Sequence, residues 1–140
     1  MTDAHILVIG AGPKTDHCLA QAARQQGVWL SLAAHRAQAL RLLRQQPVHA
    51  VVADRDWAEL DDDFLRLAAD LQPLVTLVVL VDPRADGPRP RRIHAPWARW
   101  LPKPTTTAAA GAILACVRET ARRAWSSGPE VRLSSLTETK

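Results

Sequence analysis

Val48-His49-Ala50-Val51-Val52-Ala53 is a near-continuous apolar run that stops on Asp54, and Ala98-Arg99-Trp100-Leu101-Pro102 is a second that stops on Lys103-Pro104. Runs this short and this apolar suit strands covered on both faces, as in parallel sheets. Three more lie outward along the chain, at 5–9, 28–33 and 75–81, and helical patterns alternate with all five. The alternation predicts an α/β fold, a three-layer α/β/α sandwich around a five-stranded parallel sheet. Open parallel sheets place their ligands beyond the carboxyl ends of their strands. Asp54 and Lys103 would meet there. The first strand brings no acid to that crevice, because Ile6-Leu7-Val8-Ile9 runs into Gly10-Ala11-Gly12-Pro13-Lys14.

The helices follow from apolar spacing and end signals. One begins near Thr15-Asp16, turns Cys18, Leu19, Ala22 and Ala23 inward, and stops at Gly27. The next covers about Arg36 to Gln45, with Pro47 beyond it. A third starts around Ala58 and presents Leu60, Phe64, Leu67, Ala68 and Leu71, its acids clustered where the helix dipole favours them. The last runs from Thr106 to about Trp125. A further helix is due at 84–96, yet Pro88, Pro90 and Pro96 leave room for barely one turn, so a short or irregular segment is expected there. At Ser126 the composition turns polar. The expected organisation is therefore one domain over 1–125 and a flexible linker or tail over 126–140.

Composition sets bounds. The 140 residues are 47% hydrophobic and 23% charged, ordinary values for a globular domain. No apolar run approaches the roughly 20 residues of a membrane helix, and Met1-Thr2-Asp3-Ala4-His5 has no basic n-region, so no secretory signal is expected there. Cys18 and Cys116 have no metal-ligand spacing and are expected to be buried free thiols in a reducing cytoplasm. The net charge of +4 belongs to one segment: 84–103 holds five arginines and Lys103 against Asp86 alone. Opposite in sign, 54–63 carries Asp54, Asp56, Glu59, Asp61, Asp62 and Asp63 against Arg55.

Asp54 and Lys103-Pro104, set in this strand pattern, make roughly residues 4–125 resemble the receiver domain of two-component response regulators. The resemblance implies a flavodoxin-like sheet in order 2-1-3-4-5. It puts Asp54 at the phosphoacceptor position, Lys103 at the lysine that pairs with the phosphate, and Val81 where a Thr or Ser switch residue usually stands. Trp100 falls at the aromatic switch position. The acidic pair that binds Mg²⁺ in that family falls on Ile9 and Gly10, so both acids are missing, and the usual proline after the acceptor is Ala58. The Lys103-Pro104 bond is expected to be cis, as it often is in the family.

The departures weigh on function. Phosphoryl transfer needs its equatorial charge neutralised by metal or cationic groups, and Mg²⁺ seeks an octahedral oxygen shell. With Asp54 nearly alone, the expectation is an atypical receiver, not an enzyme, that binds no Mg²⁺ and works through protein contacts in bacterial signal transduction or transcription control. A phospho-receiver remains the alternative, with Asp56 or Asp82 supplying an oxygen, or Lys14 an ammonium in place of the metal. A dinucleotide site at Gly10-Ala11-Gly12-Pro13 is disfavoured: the third glycine falls on Thr15, and no acid follows the second strand. For partners, the arginines interleaved with tryptophans point to a homodimer face built from 84–96, the fifth strand and the last helix. Arg91, Arg92, Trp97, Arg99 and Trp100 would lie on it, with Glu119 as an acid to oppose them. A C-terminal output domain, or a nucleic acid or cyclic dinucleotide stacked on 84–103, is the other kind of partner this composition allows.

Overall fold

A computed structural model describes residues 4–82 and 98–138, with side chains as far as Ser126. The strands are β1 (His5–Ile9), β2 (Trp29–Ala33), β3 (Ala50–Asp54), β4 (Thr76–Val81) and β5 (Arg99–Pro102). The helices are α1 (Pro13–Gln26), α2 (Arg36–Gln45), α3 (Asp62–Leu71) and α4 (Thr107–Glu138). All strand pairs are parallel, and the sheet order is β2-β1-β3-β4-β5. This is the order of a flavodoxin-like sheet. The expected short or irregular helix at 84–96 lies outside the described residues.

Burial explains why these runs become strands. β1 and β3 are buried at every position, and alternate residues feed two cores. Leu7, Ile9, Val51, Ala53 and Val79 pack against Leu43, Phe64 and Leu65 on the α2/α3 side. Ile6, Val8, Val52, Val78 and Leu80 meet Leu19, Ala22, Leu114 and Val117 on the α1/α4 side. Each strand therefore separates two hydrophobic layers, which is what removes period-2 polarity from its sequence.

Three ends differ from the sequence expectation. α1 starts at Pro13, earlier than Thr15, because proline is pre-set for the first helical position and lacks an N–H to leave unpaired. α3 starts at Asp62, later than Ala58. The intervening residues form turns, with Trp57 N–H bonded to Asp54 O and Leu60 N–H to Trp57 O, and Asp61 caps the helix through Phe64 N–H. α4 continues in helix to Glu138, past the polar change at Ser126.

At the amino edge of the sheet two buried histidines are held neutral. His5 Nδ1 donates to Pro47 O at 3.0 Å, which leaves Nε2 to accept from Ser31 Oγ at 2.7 Å. His49 Nδ1 accepts from His5 N–H at 2.9 Å. Burial pushes both rings below the ordinary 6.5, and for His49 the nearby His5 adds to it. The unfolded chain thus binds protons first on acidification. Stability should be full above the unfolded value and fall as pH drops through it towards the folded values, by up to about 1.4 kcal/mol per pH unit for each ring. Urea midpoints between about pH 7.5 and about pH 5 measure this slope, and His49→Gln, whose amide oxygen still accepts from His5 N–H, should roughly halve it.

Candidate functional site

The carboxyl ends of β1, β3, β4 and β5 open onto one crevice. Parallel registry sets it: Asp54 ends β3 beside Leu80, and Val81 pairs with Pro102, so Lys103 follows directly. Arg55 N–H bonds to Leu80 O at 2.9 Å and Lys103 N–H to Val81 O at 2.8 Å, carrying the ladder just past the strand ends. The two charged side chains then converge. Lys103 Nζ lies 2.6 Å from Asp54 Oδ2, with only 4% of the Asp54 side chain and 29% of the Lys103 side chain exposed. The contact is an ion pair without aligned hydrogen-bond geometry. Asp54 Oδ1 accepts from Asp56 N–H at 2.8 Å.

The indole of Trp57 is the feature the sequence did not announce. The turns after β3 fold it back onto the end of β1, where it is buried. Its Nε1–H donates to Ala34 O at 3.1 Å, and its ring meets Phe64 edge-on with centroids 5.3 Å apart. Gly10 lies directly beneath. A Cβ at Gly10 would stand 2.4 Å from Trp57 Cγ, inside any real contact distance, and Gly10 has φ +65°. The same loop is tied to the start of α2: Glu59 accepts from Arg36 N–H, and Asp61 pairs with the Arg36 guanidinium at 3.5 Å.

Beside the ion pair is a cleft of about 360 Å³ lined by Gly12, Lys14, Thr15, Asp82, Lys103 and Thr105, among others. Lys14 and Asp82, two of the three compensating residues named from sequence, therefore share a cleft with Lys103, and the third, Asp56, is not among its lining residues. Asp16 was missed. It sits in the first turn of α1, partly buried; burial pushes its carboxyl above the ordinary 3.8, and the Lys103 charge opposes that rise. The signal was the helix start: a first turn at Pro13 faces Asp16 back toward the crevice.

Other expected site residues fall as follows. Val81 ends β4 and offers no hydroxyl. Trp100 is 43% exposed, with the Arg55 guanidinium 5.9 Å from its ring centre. Arg99 bonds to Thr120 across to α4. Glu119, expected to oppose a partner's arginines, is engaged by Arg122 and Arg123 of its own helix, and its carboxyl is held down to about 2 chiefly by the Arg122 hydrogen bond. Arg91, Arg92 and Trp97 lie outside the described residues. The Lys103-Pro104 bond is trans, since the described residues contain no cis peptide. That corrects the expected cis bond, and trans is the ordinary preference of X–Pro.

A Mg²⁺ ion does not fit the groups present. Ile9 and Gly10 offer no carboxylate, Gly10 is covered by an indole, and both Asp54 oxygens already face a cation or a donor. Among the described residues, no three His, Cys, Asp or Glu side chains cluster as metal ligands. None of the described helices is long and apolar enough to cross a membrane.

No family model and no curated protein matches the chain by sequence. Solved structures do match. A CheY-like response regulator receiver domain protein from Methanospirillum hungatei has a TM-score of 0.67 at 13% identity, over 90% of this chain and 99% of that one. A response regulator receiver protein from Sinorhizobium medicae gives 0.65 at 18% identity, over 88% and 98%. The signal receiver domain of an HD domain-containing protein from Pseudomonas fluorescens gives 0.66 at 22% identity, over 90% and 92%. At these identities the likeness is one of fold: the chain has the fold of response-regulator receiver domains.

Proposed function

We propose that this chain is an atypical receiver, a non-enzymatic regulatory module of bacterial signalling that works through protein contacts and leaves Asp54 unphosphorylated. The observation that carries this reading is the buried Asp54–Lys103 ion pair in a crevice with no acid at Ile9 or Gly10. An incoming phosphoryl group would have to displace Lys103 from Asp54 and find its charge neutralised by the cleft's lysines, Lys103 and Lys14, without the metal on which the reaction ordinarily relies. Val81 would then give the product no hydroxyl to recruit. The test is acetyl phosphate with Mg²⁺, read by intact mass. The protein should keep its mass; stoichiometric addition of a phosphoryl group, abolished in Asp54→Asn, would overturn the reading. Such a result would favour the phospho-receiver alternative, for which Asp82 in the Lys103 cleft is the supporting observation.

The contact surface in this reading is the face of β5 and α4, used by a second copy. Trp100 is its exposed aromatic anchor among the described residues. Burying such an anchor typically contributes about 2 kcal/mol, whereas an exposed charge contributes about 0–1 kcal/mol. Trp100→Ala should therefore weaken association about 30-fold, and Arg99→Ala much less. Sedimentation velocity of the two variants checks this, and a wild type that stays monomeric at high micromolar concentration removes the face as a dimer contact.

A further inference from the structure

We infer that Trp57 is an indole wedge packed against Gly10 that fills the space a side chain at position 10 would take, so that an acid restored there alone creates no divalent-cation site with Asp54. The inference rests on the reading that Asp54 takes up no phosphoryl group, and it names the residue that enforces it. Three observations carry it. Gly10 leaves no room for a side chain, since a Cβ there would meet Trp57 Cγ, Cδ1 and Cβ at 2.4, 2.5 and 2.7 Å. The indole cannot swing aside freely, because its N–H is bonded to Ala34 O and its ring is stacked edge-on against Phe64. The loop that carries it is fastened at two further points, by Glu59 on Arg36 N–H and by Asp61 on the Arg36 guanidinium. Loss of the acid and gain of the wedge are thus one device. A glycine at position 10 is what the indole packs on, and its positive φ is a conformation that aspartate tolerates better than most L-residues. The obstacle to an acid there is therefore the indole more than the backbone.

The wedge makes a prediction that absence of acids alone does not. Gly10→Asp should bind no more Mn²⁺ than wild type, whereas Gly10→Asp combined with Trp57→Ala should acquire a saturable Mn²⁺ site of about millimolar affinity, the weak end of carboxylate sites. Adding Asp54→Ala should abolish that site. Mn²⁺ binding is followed by electron paramagnetic resonance on the full chain, with circular dichroism and a cooperative urea transition certifying that each variant is folded. A methyl-group cycle reads the contact itself: Gly10→Ala should destabilise far more with Trp57 present than in the Trp57→Ala background, since backbone strain at position 10 is common to both. Should the Trp57→Ala proteins fail to fold, the wild type decides. The Trp57 indole N–H resonance is expected to hold its position and exchange slowly when Mg²⁺ is added to about ten millimolar, far above typical weak sites. A Mg²⁺-dependent shift of that resonance, Mn²⁺ binding by Gly10→Asp alone, no coupling in the methyl cycle, or a folded double variant that binds no Mn²⁺ would each overturn the wedge. Phosphorylation of wild-type Asp54 without any cation would instead overturn the functional reading and leave the wedge standing.

Discussion

Replacing Lys103 with methionine is expected to destabilise the fold by about 3–5 kcal/mol, the cost of stranding a buried carboxylate without its counter-charge. Asp54 is nearly enclosed, and Lys103 Nζ is the cation against its Oδ2. Asp56 N–H satisfies only the other oxygen. Asp54→Asn together with Lys103→Met should recover most of the loss, because removing both charges removes the desolvation cost along with the attraction. Urea denaturation of the two singles and the double gives the coupling. A Lys103→Met loss under about 1 kcal/mol would mean that the pair behaves like an exposed surface bridge and that Asp54 does not depend on the lysine.

Trp57→Ala should cost a similar amount, about 3–5 kcal/mol, as for other large aromatics cut back to alanine in a core. The indole is buried between Gly10 and Phe64, and its removal also leaves Ala34 O without the indole donor. Trp29 supplies the control. It is 53% exposed, stacked on His5 at the edge strand β2, and Trp29→Ala should fall within about 1 kcal/mol of wild type. Thermal or urea unfolding of the two variants separates a core indole from a surface one. Equal effects would contradict the packing described for the crevice.

The sheet and the Asp54–Lys103 meeting were legible in the chain because each depends on local signals. Runs such as Val48–Ala53 and Leu77–Leu80 are apolar at successive positions, and that pattern arises only where both faces of a strand are covered. Once the strands are parallel, the ends of β3 and β5 must share an edge. Trp57 was not legible. Its spacing, three residues past Asp54, puts it near the acceptor position, but only the turns at 54–60 bring it over Gly10. Gly10 itself read as a missing acid, where the structure makes it the floor under an indole. Asp16 escaped for a similar reason: its approach to Lys103 depends on where Pro13 starts α1. Glu119 was read as an acid to oppose a partner's arginines; arginines three and four residues on reach it within its own helix, pairs that i,i+3 and i,i+4 spacing signals in advance.

Asp54 is thus read as already neutralised by Lys103, and position 10 as closed to an acid by Trp57. Tryptophan fluorescence during titration with Mg²⁺ and then beryllofluoride, a phosphoryl mimic, is the decisive measurement, because Trp57 lies three residues past Asp54 and packs on Gly10. No saturable change is expected in the wild type with either addition. A saturable quench that disappears in Asp54→Ala would contradict that reading.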